Sequence, residues 1–199
     1  MTDAVITHAD NKEPTAFTQK ELGWLPWLDP LAEGDFTQRH REALVDATRI
    51  KSPYFRLLAR DPDILEARTR TDKDIFYNVA DGLPRAEREL AAAAASRVNG
   101  CIYCASVHSR FAATYSKRGE DVQRLLDTGV NVRIDPRWDA VTAASAAITA
   151  TPATFDGTHI VALREAGLDD AEIVDVINAA AFFNWANRLM LSLGEPAGP

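Results

Sequence analysis

From about Asp35 onward, apolar residues recur every three or four positions, and proline and glycine cut the pattern into helix-sized blocks. Asp35 stands where it can cap a helix running to about Ile50, with Ala43, Leu44, Ala47 and Ile50 on its apolar side. Ser52-Pro53 and Asp61-Pro62 each read as a helix start, because proline is tolerated in the first turn. The second of these helices runs to about Ala80, and Gly82 ends it. Pro84 opens a helix that passes through Leu90 and the block Ala91–Ala95 to about Asn99, with Gly100 as its stop. The next is expected to reach about Arg118, where Gly119 breaks it, and a short one covers Glu120–Thr128. Further helices are predicted at Pro136–Ala150, Gly157–Glu165 and Asp170–Leu193. Only Val130–Ile134 carries a hint of strand alternation. The pattern therefore predicts an all-α fold.

The first 34 residues read differently from residues 35–199, which form the helical domain. Residues 1–20 are polar and mixed, as in a loose arm, and His8 reads there as solvated. Then comes Leu22-Gly23-Trp24-Leu25-Pro26-Trp27-Leu28-Asp29-Pro30, whose prolines disfavour a regular helix. Two tryptophans in an extended segment need a surface to cover, either the chain's own core or a subunit interface. A weak internal repeat appears at an offset of 85 residues. Gly82, Leu83, Ala86, Glu87, Ala94, Ala95 and Asn99 match Gly167, Leu168, Ala171, Glu172, Ala179, Ala180 and Asn184, as two degenerate helical repeats would. Cys101 and Cys104 align with Ala186 and Leu189, so the second copy would be scaffold.

Composition narrows the function classes. The 199 residues carry a net charge of −7 with no basic block, which disfavours nucleic-acid binding. No apolar run approaches membrane-spanning length, and Met1–His8 lacks the pattern of a secretion signal. The expected compartment is cytoplasmic, where a Cys-x-x-Cys is catalytic or metal-binding more often than a structural staple.

The only two cysteines stand at Cys101 and Cys104, and His108 follows four residues later. On a helix, Cys104 would lie about 60° and His108 about 20° behind Cys101, so all three side chains would share one arc. A free thiol is only about 3% thiolate at pH 7, and the thiolate is the nucleophile. A helix N-terminus after Gly100, hydrogen bonding between the thiols and a nearby imidazole would each favour ionisation. Glu87 and Glu89 on the preceding helix are both candidates to orient that imidazole; two apart, they face different ways. A c-type haem site would need histidine at position 105, which is alanine. A zinc site could draw on both thiols, His108 and a glutamate, but no second Cys-x-x-Cys or histidine pair supports it. No cofactor or resident metal is expected.

These residues resemble the alkylhydroperoxidase D-like (AhpD-like) branch of the carboxymuconolactone decarboxylase superfamily. Its signature is a glutamate, a Cys-x-x-Cys beginning twelve residues on, and a histidine four residues after the second cysteine. Glu89, Cys101, Cys104 and His108 match every interval, which singles out Glu89 over Glu87. The resemblance implies an all-helical homo-oligomer that reduces hydroperoxides. Cys104 would be the attacking thiol, Cys101 the resolving one, Glu89 and His108 the proton relay, and a dithiol the reductant. One departure stands out: Tyr103 occupies the place where the best-known members carry a second histidine. A phenol with a pKa near 10 is a poor base at pH 7, which implies slower turnover or another oxidant. The competing readings are an acid–base enzyme like the decarboxylase branch, and a redox-sensing helical oligomer.

Other residues carry less chemistry. His40 reads as solvated and His159 as a surface or capping residue. Arg97 and Arg110 flank the cysteines but read as solvated, and Phe182, Phe183 and Trp185 as core or interface.

Overall fold

The structure, a computed structural model, describes residues 5–78 and 80–198. Among the described residues there are nine α-helices: α1 (Gln38–Ala43), α2 (Pro53–Leu58), α3 (Pro62–Tyr77), α4 (Arg85–Asn99), α5 (Ile102–Ser116), α6 (Gly119–Thr128), α7 (Pro136–Thr149), α8 (Gly157–Glu165) and α9 (Asp170–Leu193). One two-stranded ribbon joins β1 (Gly23–Pro26) to β2 (Gly194–Ala197). The fold is all-helical, as the sequence pattern predicts. No helix among the described residues is long and apolar enough to cross a membrane.

Helix α4 is the centre of the packing, with α5, α7 and α9 around it. Every residue from Glu87 to Ser96 is buried, and Ala91–Ala95 have no exposed surface. The run Leu90–Ala95 is apolar on every side, which suits it to the interior, and alanine lets neighbouring helices approach closely. The chain then reverses within two residues. Gly100 takes a left-handed conformation (φ 78°), and the N–H groups of Gly100 and Cys101 both donate to the Ser96 carbonyl. Helices α4 and α5 thus form an antiparallel hairpin. At 1.5 Å per residue, Glu89 lies ~16 Å up one arm and His108 ~12 Å up the other, so the turn brings them roughly level.

The repeat has a physical counterpart. Its two glycines, Gly82 and Gly167, both adopt positive φ before the helices α4 and α9. Its two asparagines meet, Asn99 Nδ2 donating to Asn184 Oδ1 over 3.0 Å.

Several local expectations are corrected. The single helix from Asp35 to Ile50 is three pieces: 3-10 turns at Glu33–Asp35 and Ala47–Lys51, with α1 between them. Thr37 rather than Asp35 caps α1, and Val45 at φ 61° stops it. Lys117, left-handed at φ 63°, ends α5, whereas Gly119 opens α6 instead of breaking its predecessor. Val130–Ile134 forms no strand. The strands lie at Trp24 and near the C-terminus, with Trp24 opposite Pro196 and Leu25 opposite Glu195. Prolines are tolerated here because a two-stranded ribbon is all edge.

The early segment is tied down rather than loose. His8 Nε2 bonds the Pro26 carbonyl at 2.8 Å, Asn11 donates to Glu195, and Gln19 donates to the Gly119 carbonyl. Trp24 is buried against Tyr54 in an edge-to-face contact, so it covers the chain's own core. Gly194 makes the ribbon's closest approach: a Cβ there would collide with the Leu25 carbonyl and the Trp24 ring. Gly194→Ala is therefore expected to cost about 1–3 kcal/mol through overpacking, read as a lower denaturation midpoint. An unchanged midpoint would mean that the ribbon is not held this closely.

Candidate functional site

Glu89 is 1% exposed, and a carboxylate at that depth must be paired. Its Oε1 accepts from Arg85 Nε at 3.0 Å, and its Oε2 lies 2.5 Å from His108 Nδ1. An ionised carboxylate only accepts, so Nδ1 carries the hydrogen and Nε2 of the neutral ring is left as a free acceptor. The ring is held edge-on to Phe183, with centroids 4.0 Å apart, and beside Phe76 at 5.3 Å. Arg85 is fixed in turn by stacking on Tyr77 and Tyr115, 4.1 and 4.7 Å from their ring centres. Glu87, by contrast, turns to α7 and accepts from Arg137 at 2.9 Å.

Cys104, His108 and Glu89 line one pocket of about 190 Å³, with walls that include Phe55, Phe76, Phe111 and Phe183. Cys101 does not share their arc. It is the N-cap of α5, with non-helical φ and ψ of −80° and 89°, and it lines a second cavity of about 50 Å³ beside Trp24 and Gly194. The helical-wheel expectation fails for Cys101 because the helix begins one residue after it. Tyr103 lines both cavities, and burial pushes its phenol up, so it remains a neutral donor.

The two thiols are free and buried, and each bears on the ionisation of the other. Cys101 is drawn below the ordinary thiol range, first by the Cys104 side chain, then by the Cys104 backbone N–H and Asn187. Cys104 is pushed well above it, first by burial and then by Cys101. The two thiols are coupled, so they take up charge as a pair, and Cys101 stands at the positive end of α5. Asn187, fully buried on α9, donates to Ser96 Oγ at 3.0 Å and accepts from Asn99, which fixes a side chain that favours the ionised form of both thiols.

The remaining candidates lie elsewhere. Arg97 donates to the Leu126 carbonyl and stacks on Phe17, rather than being solvated. His159 and His40 complete capping boxes with Asp156 and Thr37. Among the described residues no group of three or more His, Cys, Asp or Glu side chains is arranged to hold a metal. Sequence reading missed Tyr54, Arg68 and Arg85, all of which line the pocket. Arg85 lies four residues before Glu89, the spacing of a helical ion pair, and that was its available signal.

Residues 62–150 match the carboxymuconolactone decarboxylase family. No curated protein sequence matches the chain. Among solved structures, the chain is similar to an alkylhydroperoxidase AhpD core, a peroxidase-related protein from Ralstonia eutropha JMP134. That likeness has 24% identity, a TM-score of 0.71, and covers 85% of this chain and 90% of that one. A peroxidase-related protein from Silicibacter sp. TM1040 is 25% identical, with 96% of both chains covered and a TM-score of 0.69. The debrominase Bmp8 is 18% identical, with 82% of this chain and 88% of that one covered and a TM-score of 0.67.

The asymmetry of the thiols is open to direct test. Ultraviolet thiolate absorbance should rise in two separate steps, one below the ordinary thiol range and one well above it, and Cys101→Ser should abolish the first. One step of two-thiol amplitude at the ordinary value would contradict the coupled pair.

Proposed function

From the premise that residues 62–150 belong to the carboxymuconolactone decarboxylase family, an enzymatic family, within an AhpD-like fold, we propose that this chain is a thiol-dependent peroxidase. The observation that carries the reading is the shared pocket of Cys104, His108 and Glu89, with Cys101 three residues before Cys104 at the start of α5. Cys104 alone of the two thiols lines the larger, aromatic-walled cavity, so it is the one placed to meet a hydroperoxide.

Because burial holds the Cys104 thiol well above the ordinary range, its proton must be drawn off at the moment of attack. His108 stands one helical turn further along α5, and its Nε2 is the acceptor. Glu89 stabilises the imidazolium that forms. The Cys104 sulfur attacks the terminal oxygen of the hydroperoxide and the O–O bond breaks. The remaining oxygen leaves as alcohol or water, with the proton from His108, and Cys104 becomes a sulfenic acid. Cys101 then attacks the Cys104 sulfur: the S–S bond forms as the S–OH bond breaks, and the hydroxide leaves as water with the proton of the Cys101 thiol. A dithiol reductant restores the pair by exchange, and assembly as a homo-oligomer belongs to the same proposal.

The same Glu89–His108 pair could serve acid–base chemistry without the thiols, as the decarboxylase family name suggests. The two readings separate cleanly. Cys101→Ser protein treated with hydrogen peroxide and a dimedone-type probe should carry the adduct on Cys104, and His108→Ala should slow its formation by about 100-fold or more. Absence of any adduct, with activity retained when both cysteines are serine, would favour the acid–base reading.

A further inference from the structure

The Cys104 pocket contains a second polar cluster that this chemistry leaves unused. Arg68, from the middle of α3, and Tyr54, from α2, both line it. Arg68 is only 8% exposed, and its guanidinium lies between the rings of Phe55 and Phe182, 5.3 Å from each centre. Its Nε and Nη1 have no hydrogen-bond partner. Asp72 Oδ2 stands 3.4 Å from Nη1 but is also bonded to Arg49 Nη2 at 3.1 Å. Two guanidinium groups thus share one carboxylate, and a positive charge is left over. The Tyr54 hydroxyl is likewise buried without a partner. Burial pushes its pKa up to about 12, so it keeps its hydrogen.

Buried polar groups are nearly always paired, and an open cation and hydroxyl together are costly. On the wall of a pocket, such donors make sense when a negative group arrives during turnover. We propose that Arg68 and Tyr54 form an oxyanion subsite in the Cys104 pocket that takes the leaving oxygen of an organic hydroperoxide. The inference rests on the peroxidase reading and adds to it the groups that meet the leaving oxygen.

An apolar cavity of about 150 Å³ accommodates benzene, so about 190 Å³ holds one ring or a compact branched alkyl group with its peroxide oxygens. Phe55, Phe76, Phe111 and Phe183 supply the walls for such a group. The substrates are therefore aryl or compact alkyl hydroperoxides. As the Cys104 thiolate donates its electron pair to the terminal oxygen, an S–O bond forms and the O–O bond breaks. Sulfur is oxidised by two electrons and the peroxide is reduced. The bonding pair departs on the inner oxygen as an alkoxide, which accepts from Tyr54 and Arg68. The proton held by His108 then converts it to the alcohol. Donors aimed at charge that develops only in the transition state accelerate the step itself.

The subsite matters most when the leaving group is a strongly basic alkoxide and little when it is a carboxylate. Thiol oxidation of the reduced full chain is therefore to be compared by stopped flow with cumene hydroperoxide and with peracetic acid. Tyr54→Phe keeps the ring that packs on Trp24 and removes only an unpartnered hydroxyl, so the fold is retained. It should slow oxidation by cumene hydroperoxide about 100-fold and leave that by peracetic acid nearly unchanged. Arg68→Gln should show the same selective loss, and Arg68→Lys should recover part of it. Equal slowing with both oxidants, or none, overturns the subsite and leaves the peroxidase reading standing. No thiol oxidation by either oxidant in the unaltered protein overturns both.

Discussion

The site depends on one buried carboxylate. Glu89 sits just over one turn into the most enclosed helix of the fold, with essentially no exposed surface, and it is satisfied from two sides. Removing an ion from water is expensive unless its partners are fixed. Arg85 supplies the countercharge from the same helix, and His108 supplies a hydrogen bond from α5. The glycine reversal at Gly100 and the alanine-lined contact of α4 with α5 serve this meeting. A wider separation or a different register would leave an unpaired charge in the core. The interaction that fixes the histidine tautomer also holds the hairpin in register.

The same hairpin places the two cysteines in unlike surroundings. Cys101 ends a turn, beside the small cavity under the β-ribbon and Trp24. Cys104 is one turn inside the helix, on the side of the larger pocket with His108. Burial opposes ionisation of Cys104, while the helix start and hydrogen bonds favour it at Cys101. Under the proposed chemistry, Cys104 faces the pocket as a thiol that becomes nucleophilic only as its proton leaves, and Cys101 stands at the helix start to resolve it. Tyr103, which touches both cavities, forms part of the wall between them.

Much of the helical order was legible because helix ends carry local signals. Pro53, Asp61-Pro62, Asp135-Pro136, Asp156 and Asp169 act through their own neighbouring backbone groups. The region 35–50 misled because its interruption, the left-handed Val45, has no such signature. The ribbon went unseen because Gly194–Ala197 has neither alternation nor strand-forming residues, and it pairs only because α9 returns its end to Trp24. The spacing from Glu89 to Cys101, Cys104 and His108 was readable, since a helical hairpin converts intervals into neighbours. Tyr54 and Arg68 were not, because they reach the pocket from α2 and α3 through tertiary packing.

The central claim is that Glu89 holds His108 with its hydrogen on Nδ1 and its Nε2 bare, ready for the Cys104 proton. Nitrogen-15 NMR of the imidazole in the reduced protein, at a pH where the ring is neutral, reads this directly. The account predicts a protonated Nδ1, with a strongly deshielded hydrogen shared with Glu89, and an unprotonated Nε2. A hydrogen found on Nε2 instead would contradict it, since the ring would then have no acceptor to offer Cys104.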